Sequence, residues 1–99
     1  MTTDLDALIA EELEDPEFRA EWERTRVAHQ VALKVIAYRA EHGLSQRQLA
    51  EQWGMKQPVI ARLEAGDHEP TIATLARLSG LLGVDFHIDI TPTSVALSA

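Results

Sequence analysis

Ninety-nine residues without a cysteine and with a formal net charge of −7 fit one modest domain, with no disulfide framework, thiolate chemistry or zinc–thiolate site. No apolar run reaches the ~20 residues of a bilayer-spanning helix. The acidic start, MTTDLDALIAEELED, lacks the basic n-region of a secretory leader, so a cytoplasmic location is expected. The charge is also segregated: residues 1–24 hold nine acidic and two basic side chains, whereas residues 25–99 hold seven of each. Those two parts are expected to meet different partners.

Leu5, Leu8, Ile9 and Leu13 recur at helical spacing behind a cap at Thr3 or Asp4. This first helix is expected to end at Asp15-Pro16, because the residue before a proline avoids the helical region. Asp15 then serves as cap for a new helix with Pro16 at its first position. That helix carries Phe18 and Trp22 on one face, and Arg19 and Glu23 as a possible pair on another. It can run on into 25–42, where Val27, Val31, Val35 and Tyr38 form a stripe widened by Ala28, Ala32 and Ile36. Gly43 ends it.

Residues 44–66, LSQRQLAEQWGMKQPVIARLEAG, have the spacing of a helix-turn-helix, whose second helix can lie in the DNA major groove. Ser45 and Gln48 make an S-x-x-Q capping box. Leu49, Trp53, Met55, Ile60 and Leu63 point toward a shared core, and Gly54 sits where the turn needs a positive φ. An ordinary helical hairpin accounts for the apolar period but not for Ala50, Gly54 and Ile60 at successive offsets of four and six. After the turn at 66–70, Thr71 caps a last helix with Ile72, Leu75, Leu78 and Leu82 inward, stopped by Gly83. Residues 84–91 then alternate apolar and polar, as a half-buried strand does. Pro92 is expected to end the strand, and Thr93–Ala99 to fray.

A lone strand has an unpaired edge. Antiparallel pairing with its own copy across a two-fold axis would bury Val84, Phe86, Ile88 and Ile90. The alternatives are a strand lying over its own helices or pairing with another protein. A dimer would also place two recognition helices roughly 34–36 Å apart, matching a palindromic operator.

With the core face assigned, Lys56, Gln57, Pro58, Ala61 and Arg62 point outward from the second helix of the motif. Gln57 suits the N6/N7 edge of adenine and Arg62 the O6/N7 edge of guanine, while Ala61 can meet a thymine methyl. Lys56, Gln46, Arg47 and Arg39 are candidates for phosphate. Arg62 could instead pair with Glu64 or Asp67, and Arg47 with Glu51. The four histidines have no ligand spacing, so no metal is expected. No nucleophile set, phosphate loop or carboxylate pair points to catalysis or a cofactor.

Residues 44–66 resemble the lambda-repressor/Cro-like helix-turn-helix superfamily, through Gln46, Ala50, Gly54, Gln57, Ile60, Arg62, Leu63, Glu64 and Gly66. The likeness extends to the flanking helices at 27–42 and 71–82. It implies a mainly α bundle of about five helices and a dimeric transcriptional regulator. Here that bundle would carry an N-terminal helical extension and one C-terminal strand pairing across the dimer. Many members have Ser or Thr at the position of Lys56, which cannot cap in the same way.

A narrower resemblance, carried by the acidic start, the Asp15-to-Trp22 segment and Val-Asp-Phe-His-Ile-Asp-Ile after the motif, is to HigA-type antitoxins of type II toxin–antitoxin modules. It implies a protein that masks a RelE-like ribonuclease toxin of HigB type and represses its own operon. On that reading residues 1–24 bind toxin through Leu5, Leu8, Ile9, Leu13, Phe18 and Trp22, residues 25–83 bind DNA, 84–91 dimerise and 92–99 are a tail. A basic toxin fits the −7 segment. The alternatives are a free-standing repressor, or an interaction module that no longer binds DNA.

Overall fold

The computed structural model describes residues 14–98, so the expected first helix, with Leu5, Leu8, Ile9 and Leu13, lies outside the described residues. The first described helix, α1, spans Pro16–Glu41. Asp15 caps it by accepting from the Glu17 N–H at 2.9 Å, and Pro16 takes the position where a missing N–H costs nothing. Nothing between Pro16 and Glu41 breaks the helix, so the two candidate pieces are one rod of 26 residues, about 39 Å long. At its end the Leu44 N–H bonds the Arg39 carbonyl at 3.0 Å and the Gly43 N–H bonds the Ala40 carbonyl at 3.2 Å. This is a Schellman closure.

Helices α2 (Gln46–Trp53), α3 (Gln57–Ala65) and α4 (Ile72–Leu82) follow. Ser45 and Gln48 form both halves of the capping box. Thr71 caps α4 by accepting from the Thr74 N–H at 3.1 Å. Gly54 ends α2 in the left-handed region at φ 66°, which the tight turn into α3 requires.

The core is drawn from all four described helices and one C-terminal residue: Val27, Val31 and Val35 of α1, Leu49, Ala50 and Trp53 of α2, Ile60 of α3, Leu75 and Leu78 of α4, and Leu97. Leu49, Ile60, Leu78, Val31 and Val35 are fully buried, each worth about 1.5–3 kcal/mol of transfer free energy. Two expected inward residues are not part of it. Ile72, on the first turn of α4, is 75% exposed, and Ile36 is 37% exposed. Ile72 follows the cap directly, where the helix has not yet entered the bundle. Ile36 lies at the edge of the α1 stripe, past the width its neighbours cover.

The largest departure is at the C-terminus. The strand is shorter than expected, β1 being His87–Thr91, and it is not alone: β2, Ser94–Ser98, pairs with it antiparallel. Pro92 and Thr93 form the hairpin turn between them. Thr91 Oγ1 meets Ser94 Oγ at 2.8 Å across its mouth. The register sets Ile88 opposite Leu97 and Ile90 opposite Val95, so these four share one face of the pleat. β2 packs on α1, with Leu97 in the core. Residues 92–98 are therefore not a frayed tail, and the strand's first partner is its own chain.

Candidate nucleic-acid interface

The α2–turn–α3 unit is held from both sides by arginines outside it. Arg39 of α1 donates from Nε and Nη2 to the two carboxylate oxygens of Glu64, each at 2.8 Å. Its Nη1 donates to the Leu44 carbonyl at 3.2 Å. The Glu64 side chain is only 7% exposed. Its hydrogen bond and charge hold the Arg39 guanidinium above its ordinary range, against the opposing effect of desolvation. Gln46, the first residue of α2, also donates to Glu64 Oε1 at 3.4 Å. On the far side, Arg77 of α4 donates from Nη2 to the carbonyls of Trp53 at 2.9 Å and Gly54 at 3.2 Å. It thus satisfies open carbonyls at the C-terminus of α2.

Between these clamps α3 turns Ile60 fully inward, with Leu63 packed against the core. Lys56, Gln57, Pro58, Ala61 and Arg62 are all exposed. Positions 57, 58, 61 and 62 make a continuous row on one side of a helix. Neither pairing weighed for Arg62 forms. Glu64 is taken by Arg39, and the Asp67 carboxylate bonds His68 Nδ1 at 2.7 Å. That bond holds the Asp67 carboxyl below its usual value, with the Arg62 charge a smaller contribution.

Arg39 was expected at a phosphate; instead its donors serve Glu64 and Leu44, and only 28% of its side chain is exposed. Arg47 remains at the surface, 3.7 Å from Glu51 with both side chains largely in solvent. A pair of that kind is worth little and leaves Arg47 available. Lys56 is the N-cap residue of α3 and makes no side-chain cap bond. Arg77 carried no sequence signal as a site-builder, and Glu64, legible as part of the motif's pattern, gave no sign of its pairing with Arg39; the partners lie 24 and 25 residues away.

Other expected site residues separate. Phe18 and Trp22 stack with ring centroids 6.2 Å apart. Trp22 is 38% exposed, and neither ring belongs to the core cluster. Of the four expected dimer residues, Phe86 and Ile88 pack on the chain's own core, Val84 is half-buried, and only Ile90 stays well out, at 72%. Among the described residues no group of three histidines, aspartates or glutamates is placed to hold a metal. No helix there is long and apolar enough to cross a membrane.

A family model described as helix-turn-helix matches residues 35–88. An uncharacterized HTH-type transcriptional regulator of Haemophilus influenzae is 44% identical over 50 residues, 50% of this chain and 51% of its own length. The antitoxin HigA1 of Mycobacterium tuberculosis is 32% identical over 80 residues, 80% of this chain and 54% of its own. The uncharacterized HTH-type transcriptional regulator y4dJ of Sinorhizobium fredii is 39% identical over 56 residues, 56% of this chain and 71% of its own. The chain thus spans about half the length of the first two of these relatives. No solved structure matches it.

Proposed function

The chain belongs to the helix-turn-helix family of transcriptional regulators, and from that premise we propose that it is an antitoxin. In this reading it represses its own operon and also masks a basic ribonuclease toxin of RelE-like HigB type encoded beside it. It is a binding protein of the cytoplasm, without catalysis. The observation that carries the DNA half is the outward row of α3. Arg62, the one arginine in that row, forms no ion pair there, while Arg39 is engaged inside the fold. Gln57 then reads adenine, Arg62 guanine and Ala61 a thymine methyl, with Pro58 beside them. Gln46, Arg47 and Lys56 meet phosphates, and Arg39 acts indirectly by holding Glu64.

The toxin half rests on the charge of residues 1–24 and on Phe18 and Trp22, a stacked pair that the core does not use. The 80-residue likeness to the antitoxin HigA1 reaches well outside 35–88, which supports the same reading. Residues 1–13, with Leu5, Leu8, Ile9 and Leu13, would extend this apolar, acidic surface. Dimerisation is proposed through the edge of β1 that β2 leaves open, making a four-stranded sheet across a two-fold axis with Ile90 at its centre. Such a dimer would bind a palindromic operator.

Two measurements test the proposal. Binding to the chain's own promoter should weaken about tenfold or more for Arg62→Ala and Gln57→Ala at moderate salt; unchanged affinity rules out readout by α3. Co-expression with the product of the adjacent reading frame should restore growth that this product alone arrests. Deletion of residues 1–24 should abolish rescue and leave DNA binding intact. Promoter binding without any rescue would identify a free-standing repressor.

A further inference from the structure

β2 covers one edge of β1, and the residues on the other edge decide how a second copy can add to it. Pro92 and Thr93 form a loop that closes on the pair Thr91–Ser94. In an antiparallel ladder a loop this short closes on a pair that exchanges both backbone hydrogen bonds. His87, Asp89 and Thr91 therefore turn their N–H and C=O groups to β2, while Ile88 and Ile90 turn theirs to the open edge. Side chains alternate across the pleat: Ile88 packs on the core, and His87 and Asp89 stand exposed on the opposite face. Antiparallel pairing of two copies joins residues whose backbone groups point alike, so a two-fold axis must pass beside one residue of β1. Covering Ile90, which is 72% exposed, does not choose among these axes, but charge and proline do.

We infer that the axis passes beside Ile88, so that each His87 stands opposite the partner's Asp89. The inference rests on the dimer proposed above and sharpens it. An axis at Asp89 sets the two Asp89 carboxylates against each other, and one at His87 sets Asp89 against the partner's Asp85. Like charges directly opposite are destabilising. An axis at Ile90 or Thr91 sets Pro92 opposite Ile88 or Ile90, and Pro92 has no N–H for the carbonyl that waits there. At Ile88 neither fault occurs. Ile88 then bonds its own copy, and Ile90 bonds the partner's Phe86, with both apolar side chains on one face. On the other face an imidazole and a carboxylate meet twice. Ile90 thus lies in the middle two strands of the sheet, next to the axis. The choice bears on DNA: moving the axis by one residue slides the partner by two, about 7 Å, against roughly 34 Å between successive major grooves.

The test uses the full-length chain, as a dimer of one isotope-labelled and one unlabelled copy, with intermolecular contacts read by filtered NMR. Across the new edge His87 and the partner's Asp89 form a pair of the non-hydrogen-bonded kind, with Cα atoms about 4.5 Å apart, so their Hα protons should give a strong contact. Every other axis has its own signature: Asp89 to Asp89, Asp89 to Asp85 or Asp89 to Thr91. Any of these overturns the inference and leaves the dimer reading standing. As a second readout, His87→Glu should weaken the dimer about fivefold in sedimentation, whereas His87→Lys should not weaken it. Equal loss in both variants also overturns the register. A dimer without any contact between β1 strands pairs through another surface, and both the register and the β1-edge reading fall. A chain that stays monomeric, free and on promoter DNA, removes the dimer reading itself.

Discussion

Arg39 and Glu64, 25 residues apart in sequence, meet fork to fork at 2.8 Å on each prong and tie α1 to the last turn of α3. A bidentate guanidinium–carboxylate pair fixes orientation as well as distance. Gln46 reaches the same carboxylate from the start of α2, so three helices converge on one side chain. Among the described residues Arg62 forms no ion pair, and the nearest glutamate in sequence, Glu64, is occupied by Arg39.

Replacing Glu64 by Ala leaves the Arg39 guanidinium partly buried with only the Leu44 carbonyl. The expected cost is about 1–3 kcal/mol, read as a lower urea midpoint at unchanged slope. Arg39→Lys keeps the charge but loses the fork and should fall between Glu64→Ala and the parent. If both variants unfold at the parental midpoint, the pair does not hold α3.

Gly66 and Gly83 both have positive φ, at 68° and 70°, but their surroundings differ. A Cβ on Gly66 would lie 3.1 Å from His29 Cδ2 and 3.2 Å from Ala32 Cβ, whereas one on Gly83 meets nothing within 4 Å. Gly83→Ala should cost only the left-handed backbone, about 1–2 kcal/mol. Gly66→Ala should cost more, because α3 must also lift from α1. Equal melting temperatures for the two variants would show that the close approach at Gly66 is relieved freely.

The helical part of this fold was legible because its signals are local. Asp15-Pro16, the Ser45–Gln48 box, Thr71 and the glycines at 43, 54 and 83 each act within a turn of themselves. The contacts that orient the motif were not, because Arg39–Glu64 and Arg77–Trp53 join distant segments and arginines on helix surfaces look alike in sequence. The hairpin was missed for a different reason. Its second strand offers only Val95 and Leu97 between small residues, and its Pro-Thr turn lacks the Asn-Gly or Asp-Gly signal of a two-residue loop.

Leu97 decides how much that second strand matters. It is 6% exposed, within a cluster that includes Val27, Val31 and Val35. Leu97→Ala should therefore destabilise by about 2–3 kcal/mol, roughly 8–24 °C in melting temperature for a domain of this size. Truncation after Thr93 should do at least as much, since β1 loses its ladder as well. A truncated chain that melts with the parent would restore the picture of a frayed C-terminus.

Lys56 is where stability and DNA binding are expected to trade against each other. As N-cap of α3 it has the extended backbone of a capping residue, φ −81° and ψ 145°, but offers no acceptor. The loss is small for a structural reason. Pro58 has no N–H to satisfy, and the Val59 N–H already bonds the Lys56 carbonyl at 3.0 Å. Lys56→Ser should thus raise stability by only about 0.5 kcal/mol, the low end of the capping range. It should also weaken promoter and unrelated DNA alike and reduce the salt dependence by about one phosphate contact. A parental salt slope would remove Lys56 from the interface, and a gain well above 1 kcal/mol would mean that the start of α3 lacks the satisfaction assigned to it here.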